Sequence, residues 1–390
     1  MRRLHPGSAR RGRTVAGALH RLGLLLLAGL IASAWCGAAR AEIVMTDAAG
    51  REVRLQAPAQ RIATNESLLL LSLALIDADP VRRLAGWAAP RRLDQGMYAA
   101  FRREFPAVDD IPVVGAVVPA GVSGGTILSV EPDLFVVSIW QHDWEDIADR
   151  LSAAGIPVIF LDGPANAGRG PDEATAFSME LLGKALGREE QAGEFADFVR
   201  ARYRRVEQRL EGTTRRPSVL IDAHAGSVCC NTPGADNRIT QYLELAGGHN
   251  IGAGLVPGYD GQLSPEYVLT TDPDVYVGTG GPHLAAQGGL VVGGAIDAGA
   301  ARASLSAVVG RNHLSALSAV RGGRAFAVSH QLSISALSVL VFECLAKWTH
   351  PDLFADLDPA DTLAEINERF MAVPIEGTFW VGLDEAGTAP

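Results

Sequence analysis

The chain has 390 residues, of which 48% are hydrophobic and 20% are charged, so it can bury a large core and is not a disordered chain. This length fits two domains or one large one. The net charge of −10 argues against nucleic acid and anionic membranes as partners, although a local basic patch can exist on an acidic protein.

The first 41 residues differ from the rest of the chain. They contain seven arginines, no acidic residue, an apolar run over Leu22–Ile31 and the A-x-A pattern that ends at Ala41. This order is typical of a secretory signal peptide, and we expect cleavage after Ala41. A retained membrane anchor is the alternative, but the 18 uncharged residues between Arg21 and Arg40 are marginal for crossing a bilayer. Cleavage would change the net charge from −10 to −17, because it removes seven arginines.

The next elements alternate between strands and helices. Residues 47–62 are typical of an edge hairpin that leads into a first strand at Arg61–Thr64, and Asn65-Glu66-Ser67 can cap a helix over Leu68–Ile76. Apolar runs then predict strands that end near Trp87, within "IPVVGAV", at Trp140 and at Asp162. A helix over "WEDIADRLSAAG" is expected to close at Gly155. This alternation predicts a parallel, doubly wound sheet.

From Asp172 to Leu210 the pattern is helical and contains no strand signal. Apolar residues recur three or four positions apart, at Ala192, Phe195, Val199, Tyr203, Val206 and Leu210. We interpret this segment as a rigid helical connector between two α/β halves, with an ordinary surface helix as the alternative. Strands resume after Pro217 and are expected to end near His224, Thr279 and His330, and Asp358 is expected to cap a last helix.

One unit occurs twice in the sequence. "ILSVEPDLFVVSIW" (127–140) and "EYVLTTDPDVYVGTGG" (266–281) align when Pro132 is placed on Pro273, an offset of 141 residues. Because proline cannot continue a helix, each helix should end at the preceding acid, Glu131 or Asp272, before a short buried strand. Two such units indicate two α/β lobes of similar build, although helix, Pro-Asp and strand can also recur by chance.

An ordered set of segments resembles the periplasmic substrate-binding proteins of ABC importers for ferric siderophores, haem and cobalamin. The segments are "DAAGREV" with Pro58 and Arg61, "EPDLFVVS", "AGIPVIFLD", "LAGGHNIG", "DPDVYVGT" and "AKWTHPDLF". The resemblance implies two Rossmann-like α/β lobes with parallel sheets, joined by a long bridging helix. It also implies a ligand held in a cleft between the lobes and delivered to an inner-membrane permease.

These observations give a domain plan and an expected function. We expect a signal peptide over 1–41, an N-terminal lobe over 42–171, a bridging helical segment over 172–214 and a C-terminal lobe over 215–390. The resemblance implies a periplasmic, monomeric, non-enzymatic binding protein without a cofactor, whose ligand is an iron–siderophore or a similar metal chelate. Haem, cobalamin and a bare transition metal are the alternative ligands, and nothing in the sequence identifies the ligand.

Proteins of this family often carry one surface glutamate per lobe that pairs with permease arginines, seven residues before the proline of each unit. In the C-terminal lobe that position is Glu266, which we expect to face the permease because it begins a helix remote from the carboxyl end of the following strand. In the N-terminal lobe the position is Gly125, which leaves docking through both lobes in doubt.

Ligands of parallel sheets sit outside the carboxyl ends of the strands. Nine residues at or beyond predicted strand ends are therefore candidate ligand contacts: Trp87, Arg91, Arg92, Trp140, His142, His224, Tyr259, His283 and His330. Aromatic faces suit a flat or catecholate ligand and arginines suit an anionic one. Each is otherwise an ordinary loop residue.

The offset of 141 residues also pairs His142 with His283. If the lobes are built alike, these two imidazoles approach one ligand from opposite sides, where neutral imidazole can coordinate iron or nickel or donate a hydrogen bond to the chelator. This hypothesis requires that affinity fall below pH 6. The histidines also permit a bare-metal site, but the chain has no His-rich metal-capturing loop.

"GVSGG" (121–125) matches the G-x-S-x-G pattern of serine hydrolases, which makes a hydrolase that uses Ser123 a remote alternative. Such an elbow needs a strand directly before the serine, whereas Pro119 stands there, so a helix cap is the preferred role of Ser123. The cysteines of the mature chain, Cys229, Cys230 and Cys344, match no zinc motif. Neighbouring cysteines rarely bond each other, so a bond from one of the pair to Cys344 is an open alternative.

Overall fold

The computed structural model describes Met1 and residues 42–138, 144–311 and 313–384. The expected signal peptide and its cleavage after Ala41 lie outside the described residues and stay predictions. None of the helices in the described part of the chain is long and apolar enough to cross a bilayer.

The chain begins with an antiparallel hairpin of β1 (Ile43–Thr46) and β2 (Glu52–Leu55). Asp47 forms its turn, because its carboxylate accepts hydrogen bonds from the backbone N–H of Ala49 and Arg51. The hairpin was expected over 47–62 and in fact begins four residues earlier, because the turn residues of "DAAG" connect its strands rather than start it.

The first lobe contains a five-stranded sheet in the order β5-β4-β3-β6-β7, and every pairing is parallel. Helices alternate with its strands, which confirms the predicted doubly wound sheet. The elements are β3 (Ile62–Thr64), α1 (Leu69–Ala74), β4 (Leu84–Ala88), α2 (Gln95–Glu104), β5 (Val113–Gly115), α3 (Gly124–Ser129), β6 (Leu134–Val137), α4 (Trp144–Ala153) and β7 (Val158–Phe160).

Local details differ from the sequence-based expectation. Of the predicted capping residues Asn65-Glu66-Ser67, it is Glu66 whose carboxylate accepts from the backbone N–H of Leu68 at the start of α1, whereas the side-chain oxygen of Asn65 accepts from the backbone N–H of Ser138 after β6. The strand that was expected to reach Trp140 ends at Val137, and Trp140 lies outside the described residues. Gly155 ends the turn after α4 in a left-handed conformation (φ +87°), as predicted.

Two helices, α5 (Pro171–Leu186) and α6 (Glu189–Leu210), follow the first sheet. Gly187 separates them in a left-handed conformation (φ +65°), so the helical segment is broken once rather than continuous. The predicted stripe of α6 is confirmed over Ala192, Phe195, Val199, Tyr203 and Val206, which are all buried, while Leu210 at its end is only partly buried. With 22 residues, α6 is about 33 Å long and is the long helix between the two sheets.

The second lobe contains a sheet in the order β10-β8-β12-β14-β16, in which only the pairing of β16 is antiparallel. The predicted cap of the last helix is confirmed, because the Asp358 carboxylate accepts from the Ala360 N–H. The elements are β8 (Ser218–Asp222), β9 (Asn231–Pro233), α7 (Arg238–Leu245), β10 (His249–Asn250), β11 (Asp260–Gln262), α8 (Pro265–Thr271), β12 (Val275–Gly280), β13 (Gly293–Gly294), α9 (Ala298–Arg311), α10 (Ser318–Arg321), β14 (Ala325–Ser329), α11 (His330–Ser333), α12 (Ser338–Thr349), α13 (Pro359–Arg369), β15 (Gly377–Thr378) and β16 (Trp380–Gly382).

The sequence repeat is a structural repeat. The offset of 141 residues places α3 on α8 and β6 on β12, and the acid before each proline is left-handed, with φ +48° at Glu131 and φ +44° at Asp272. The second acid of each unit holds the start of the neighbouring strand. Asp133 accepts from the backbone N–H of Arg61, and Asp274 accepts from that of Ser218. The Asp of the acid-Pro-Asp pattern thus holds the start of one inner strand of each sheet in the same way.

Side chains of both lobes and of the helix between them pack into one hydrophobic core. One hydrophobic core contains Leu71 of the first lobe, Phe195 of α6 and Phe342 of the second lobe. The backbone N–H of Ala372 also donates to the carbonyl of Ala74, which ties the end of the second lobe to α1. The predicted boundaries at 171/172 and 214/215 fall outside both sheets and stay predictions.

Candidate ligand site

Three histidines meet beyond the carboxyl ends of adjacent strands of the second sheet. His224 follows β8, His283 follows β12 and His330 follows β14. Nδ1 of His224 lies 3.3 Å from Nε2 of His283, and the rings of His224 and His330 are 3.8 Å apart between centroids. We call these three residues the histidine cluster.

Thr279, near the end of β12, organises this cluster. Its Oγ1 accepts a hydrogen bond from the backbone N–H of His224 at 3.0 Å and lies 3.0 Å from Nδ1 of His330. His224 has a left-handed backbone (φ +52°), so this hydrogen bond helps to hold a conformation that histidine rarely adopts. One buried hydroxyl therefore fixes two of the three histidines.

The imidazoles are neutral near pH 7. Burial, followed by the charges of the neighbouring groups, lowers the pKa of His330 to about 3. Burial also lowers the pKa of His224 and of His283, and the positive charge of Arg92 lowers both further. Neutral rings retain a nitrogen lone pair, so they can accept a hydrogen bond or bind a metal.

Arg92 of the first lobe lies close enough to the cluster that, besides burial, its charge lowers the pKa of all three histidines. Its Nε lies 2.9 Å from Oε2 of Glu66, whose side chain is fully buried. The backbone N–H of Leu68 and the hydroxyl of Ser67 donate to the other oxygen of Glu66. Burial raises the pKa of Glu66, while Arg92 lowers it. Glu66 thus orients a guanidinium that is half exposed beside the three imidazoles.

Hydrogen bonds between the two lobes lie next to the site. The side-chain oxygen of Gln331, the residue after His330, accepts from the backbone N–H of Asp94 at 2.8 Å, and its amide donates to the carbonyl of Arg92. The carboxylate of Asp94 then accepts from the backbone N–H of Gly294 at 2.9 Å. These bonds hold the segment that carries Arg92 against the strand that leads to His330.

The structure brings together four of the nine predicted contacts, Arg92, His224, His283 and His330. The prediction that Trp87 contacts the ligand is wrong. Trp87 lies within β4, is 1% exposed and packs against Tyr98, so its ring belongs to the core and not to a cleft. Arg91 is exposed beside Arg92, and Tyr259 is 62% exposed next to β11. Neither contacts the histidine cluster through a bond within the described residues.

Trp140 and His142 lie outside the described residues, so the pairing of His142 with His283 stays a prediction. Within the described residues, the partner of His283 is His224. Sequence reasoning missed Glu66, Asp94, Thr279 and Gln331 as supports of the site. Their one shared signal is that each lies within two residues of a predicted strand end or of a candidate contact.

Cys229 and Cys230 are bonded to each other, and Cys344 is a free, buried cysteine. The alternative in which one of the pair bonds Cys344 is therefore wrong. Cys344 lies inside α12, where it packs in the main core away from the loop between β8 and β9.

Ser123 does not occupy a nucleophile elbow. A short helical turn over Pro119–Gly121 precedes it in place of a strand, which removes the geometry that the hydrolase alternative requires. Ser123 does stand at the cap position of α3, but its side chain makes no capping hydrogen bond.

Glu266 is exposed in the first turn of α8. The expectation that its helix begins remote from the carboxyl ends of the strands is wrong. The segment just before α8 lies beside the carboxyl end of β8, because the N–H of Leu263 and the side chain of Gln262 donate to the carbonyls of Cys230 and Cys229. The start of α8, which carries Glu266, therefore lies on the carboxyl-end side of the second sheet and not remote from it.

The fold and the site define a two-lobed binding protein whose candidate contacts come from both lobes. Residues 106–331, more than half of the chain, match the periplasmic binding protein family, and the chain belongs to this family. No curated protein sequence matches it.

Solved structures share the fold. The TroA-like periplasmic binding protein FepB from Veillonella parvula is 26% identical, with 88% of this chain and 100% of that chain covered and a TM-score of 0.77. The molybdate-bound MolA of Haemophilus influenzae is 16% identical, with 86% and 99% covered and a TM-score of 0.66. A protein of an Fe³⁺-hydroxamate transport system from Saccharomonospora viridis is 22% identical, with 78% and 98% covered and a TM-score of 0.52.

Proposed function

We propose that this protein captures a metal chelate, in the first place a ferric siderophore, in the periplasm and delivers it to an ABC permease of the inner membrane. The observation that carries the proposal is the arrangement of three neutral imidazoles of one lobe beside the Arg92 guanidinium of the other. A guanidinium suits an anionic chelate, and imidazoles suit its oxygen atoms or its metal. Binding without catalysis is expected for such a site.

A chelate fits the site better than a bare ion. A bare ion needs several protein ligand atoms close together. In the described part of the chain, one group of three such side chains has all its ligand atoms within 4.8 Å of one another, namely Asp222, Cys229 and Cys230. The two sulfurs of that group are bonded to each other. The histidine cluster does not meet this criterion. A ligand that brings its own donor atoms needs fewer protein ligands, which favours a chelate.

The ligand test is native mass spectrometry of the mature protein with separate ferric hydroxamate, ferric catecholate, haem and cobalamin complexes and with bare iron, zinc and manganese ions. We expect a 1:1 complex with a ferric chelate, accompanied by quenching of tryptophan fluorescence. Binding of haem or cobalamin alone would select an alternative ligand within the same function. Binding of bare ions alone would contradict the chelate proposal.

Delivery to the permease is proposed to depend on Glu266. Glu266→Ala should weaken the complex with the permease by roughly tenfold, because one charge-assisted pair is lost, and should leave ligand affinity unchanged. Uptake of the labelled ligand by proteoliposomes with the permease and fluorescence titration of the ligand measure the two effects. Glu190→Ala, which removes an exposed glutamate of α6, is the control. A large loss of ligand affinity in Glu266→Ala would place this side chain in the cleft.

Gly125→Glu is the matched variant in the first lobe. A Cβ at Gly125 would meet only the hydroxyl of Ser123, at 3.6 Å, and Gly125 is exposed in the first turns of α3, so a glutamate fits. If the permease presents an arginine to each lobe, the variant should bind it more tightly. Unchanged or weaker docking would indicate that the permease contacts the two lobes differently.

A further inference from the structure

A second group of ligating side chains lies at the end of β8 and in the loop that connects it to β9. The carboxylate of Asp222 and the sulfurs of Cys229 and Cys230 all lie within 4.8 Å of one another. All three residues are buried. The proposed capture of a chelate uses none of them.

Backbone hydrogen bonds hold this loop in addition to the bond between the sulfurs. The N–H of Ala223 donates to the carbonyl of Asn231 at 2.6 Å, which closes the base of the loop. The N–H of Leu263 donates to the carbonyl of Cys230 at 3.0 Å, and the amide of Gln262 donates to that of Cys229 at 2.9 Å. Reduction of the disulfide therefore leaves both sulfurs close to the carboxylate.

Asp222 points independently to a cation. It is 1% exposed, and in the described part of the chain it forms no ion pair with lysine, arginine or histidine. Its two oxygens accept hydrogen bonds from the N–H of Asn231 at 3.2 Å and from the hydroxyl of Tyr276 at 3.0 Å. Burial without a positive partner raises the pKa of Asp222 to about 7, and a bound metal ion would hold the group in its ionised form instead.

We propose that reduction of the Cys229–Cys230 bond converts this loop into a binding site for one thiophilic divalent cation of the zinc and cadmium type. A dithiol or phosphine reductant supplies two electrons, and the sulfurs take up two protons to become thiols. The cation then displaces both thiol protons and binds two thiolates and the Asp222 carboxylate, a donor set that suits such ions. The proposal does not depend on the identity of the cleft ligand.

The test uses Cd²⁺ as the probe. Mature protein is unfolded in urea with a phosphine reductant, refolded without oxygen, freed of reductant and titrated with Cd²⁺; an aliquot kept oxidised is titrated in parallel. We expect one equivalent of Cd²⁺ and an ultraviolet thiolate-to-cadmium charge-transfer band in the reduced protein, and neither in the oxidised protein. Cys229→Ser/Cys230→Ser should lose the band, whereas Cys344→Ala, which removes the other cysteine of the mature chain, should retain it.

Asp222→Asn should retain the band but bind Cd²⁺ roughly tenfold more weakly, because it keeps the shape of the side chain and removes one ligand charge. A band of equal size in the double serine variant, or its loss in Cys344→Ala, would overturn the proposal. So would a reduced wild-type protein that regains its helical circular dichroism without binding Cd²⁺. A reduced chain that fails to refold would also overturn it, because the loop would then need the disulfide.

Discussion

The double variant His224→Ala/His283→Ala is expected to lose ligand affinity by on the order of 100-fold. Each imidazole offers the ligand one hydrogen bond or metal contact, and two contacts of about 1.5 kcal/mol each correspond to that factor. His224 and His283 are 3.3 Å apart, so one ligand can engage both rings. Fluorescence titration with the chelate identified by native mass spectrometry measures the loss.

A matched control is available in the same lobe. His249 is exposed, pairs with Glu244 at 3.2 Å and begins β10, at the edge of the sheet opposite the histidine cluster. His249→Ala should bind the ligand as the wild type does. Unchanged affinity in the double variant would show that the histidine cluster is not the ligand site, while the two-lobed fold would stand.

The pH dependence of binding follows from the same residues. Each imidazole is neutral above its pKa, and burial and Arg92 lower the pKa of His224 and His283. His224 and His283 therefore become protonated, and so compete with ligand binding, only at a lower pH than an ordinary histidine. We expect affinity to stay level from pH 8 to about 6 and to fall only below that range.

Glu343→Gln is expected to stabilise the protein at pH 8 by up to about 3 kcal/mol, the free energy that corresponds to the rise of the Glu343 pKa from 4.5 to about 7. Glu343 lies in α12 with its side chain fully buried, and burial raises its pKa to about 7. Its nearest cation is Arg202 of α6, at 3.8 Å, which pairs more closely with Glu365 of α13. Ionisation of Glu343 is therefore poorly compensated.

The sign of the effect depends on pH. Because the pKa of Glu343 is higher in the folded protein than in the unfolded chain, its protonated form contributes stability that is complete below about pH 4.5 and is lost as the pH rises through 7. Glutamine has no proton to lose, so the gain should vanish near pH 4.5 and grow towards pH 8.

Urea unfolding at several pH values, with Glu190→Gln as the control, tests this prediction. Glu190 is exposed in the first turn of α6, so its replacement should change the free energy of unfolding by less than about 0.5 kcal/mol at each pH. A destabilised Glu343→Gln at pH 8 would show that the pair with Arg202 outweighs the cost of burial.

Sequence patterns predicted the parts of the fold that depend on neighbouring residues. The apolar spacing from Ala192 to Val206 predicted the buried face of α6, and Pro132 and Pro273 predicted where α3 and α8 end. Periodicity and proline act within a few residues, so one chain segment contains the whole signal. Residues 47–50 were predicted to start the hairpin but form the turn between its strands. A turn signal marks the turn and does not show where the paired strands on either side of it begin.

The candidate site was predicted only as a set of strand ends. The rule that ligands lie beyond the carboxyl ends of parallel strands selected His224, His283 and His330, because it needs only the position of each strand. It also selected Trp87, which lies within its strand and turns its ring into the core. The sequence placed Trp87 at a strand end, but β4 continues to Ala88, and the ring of Trp87 packs against Tyr98 of α2.

The sequence by itself determined two repeated α/β units, a helical connector between them and the edge of each sheet where ligand contacts could lie. Only the tertiary structure decided that Arg92 of the first lobe lies close to the histidine cluster of the second lobe. The physical reason is distance along the chain. Asp94 and Gln331, which hold Arg92 in place, are 237 residues apart and meet only when both sheets have formed.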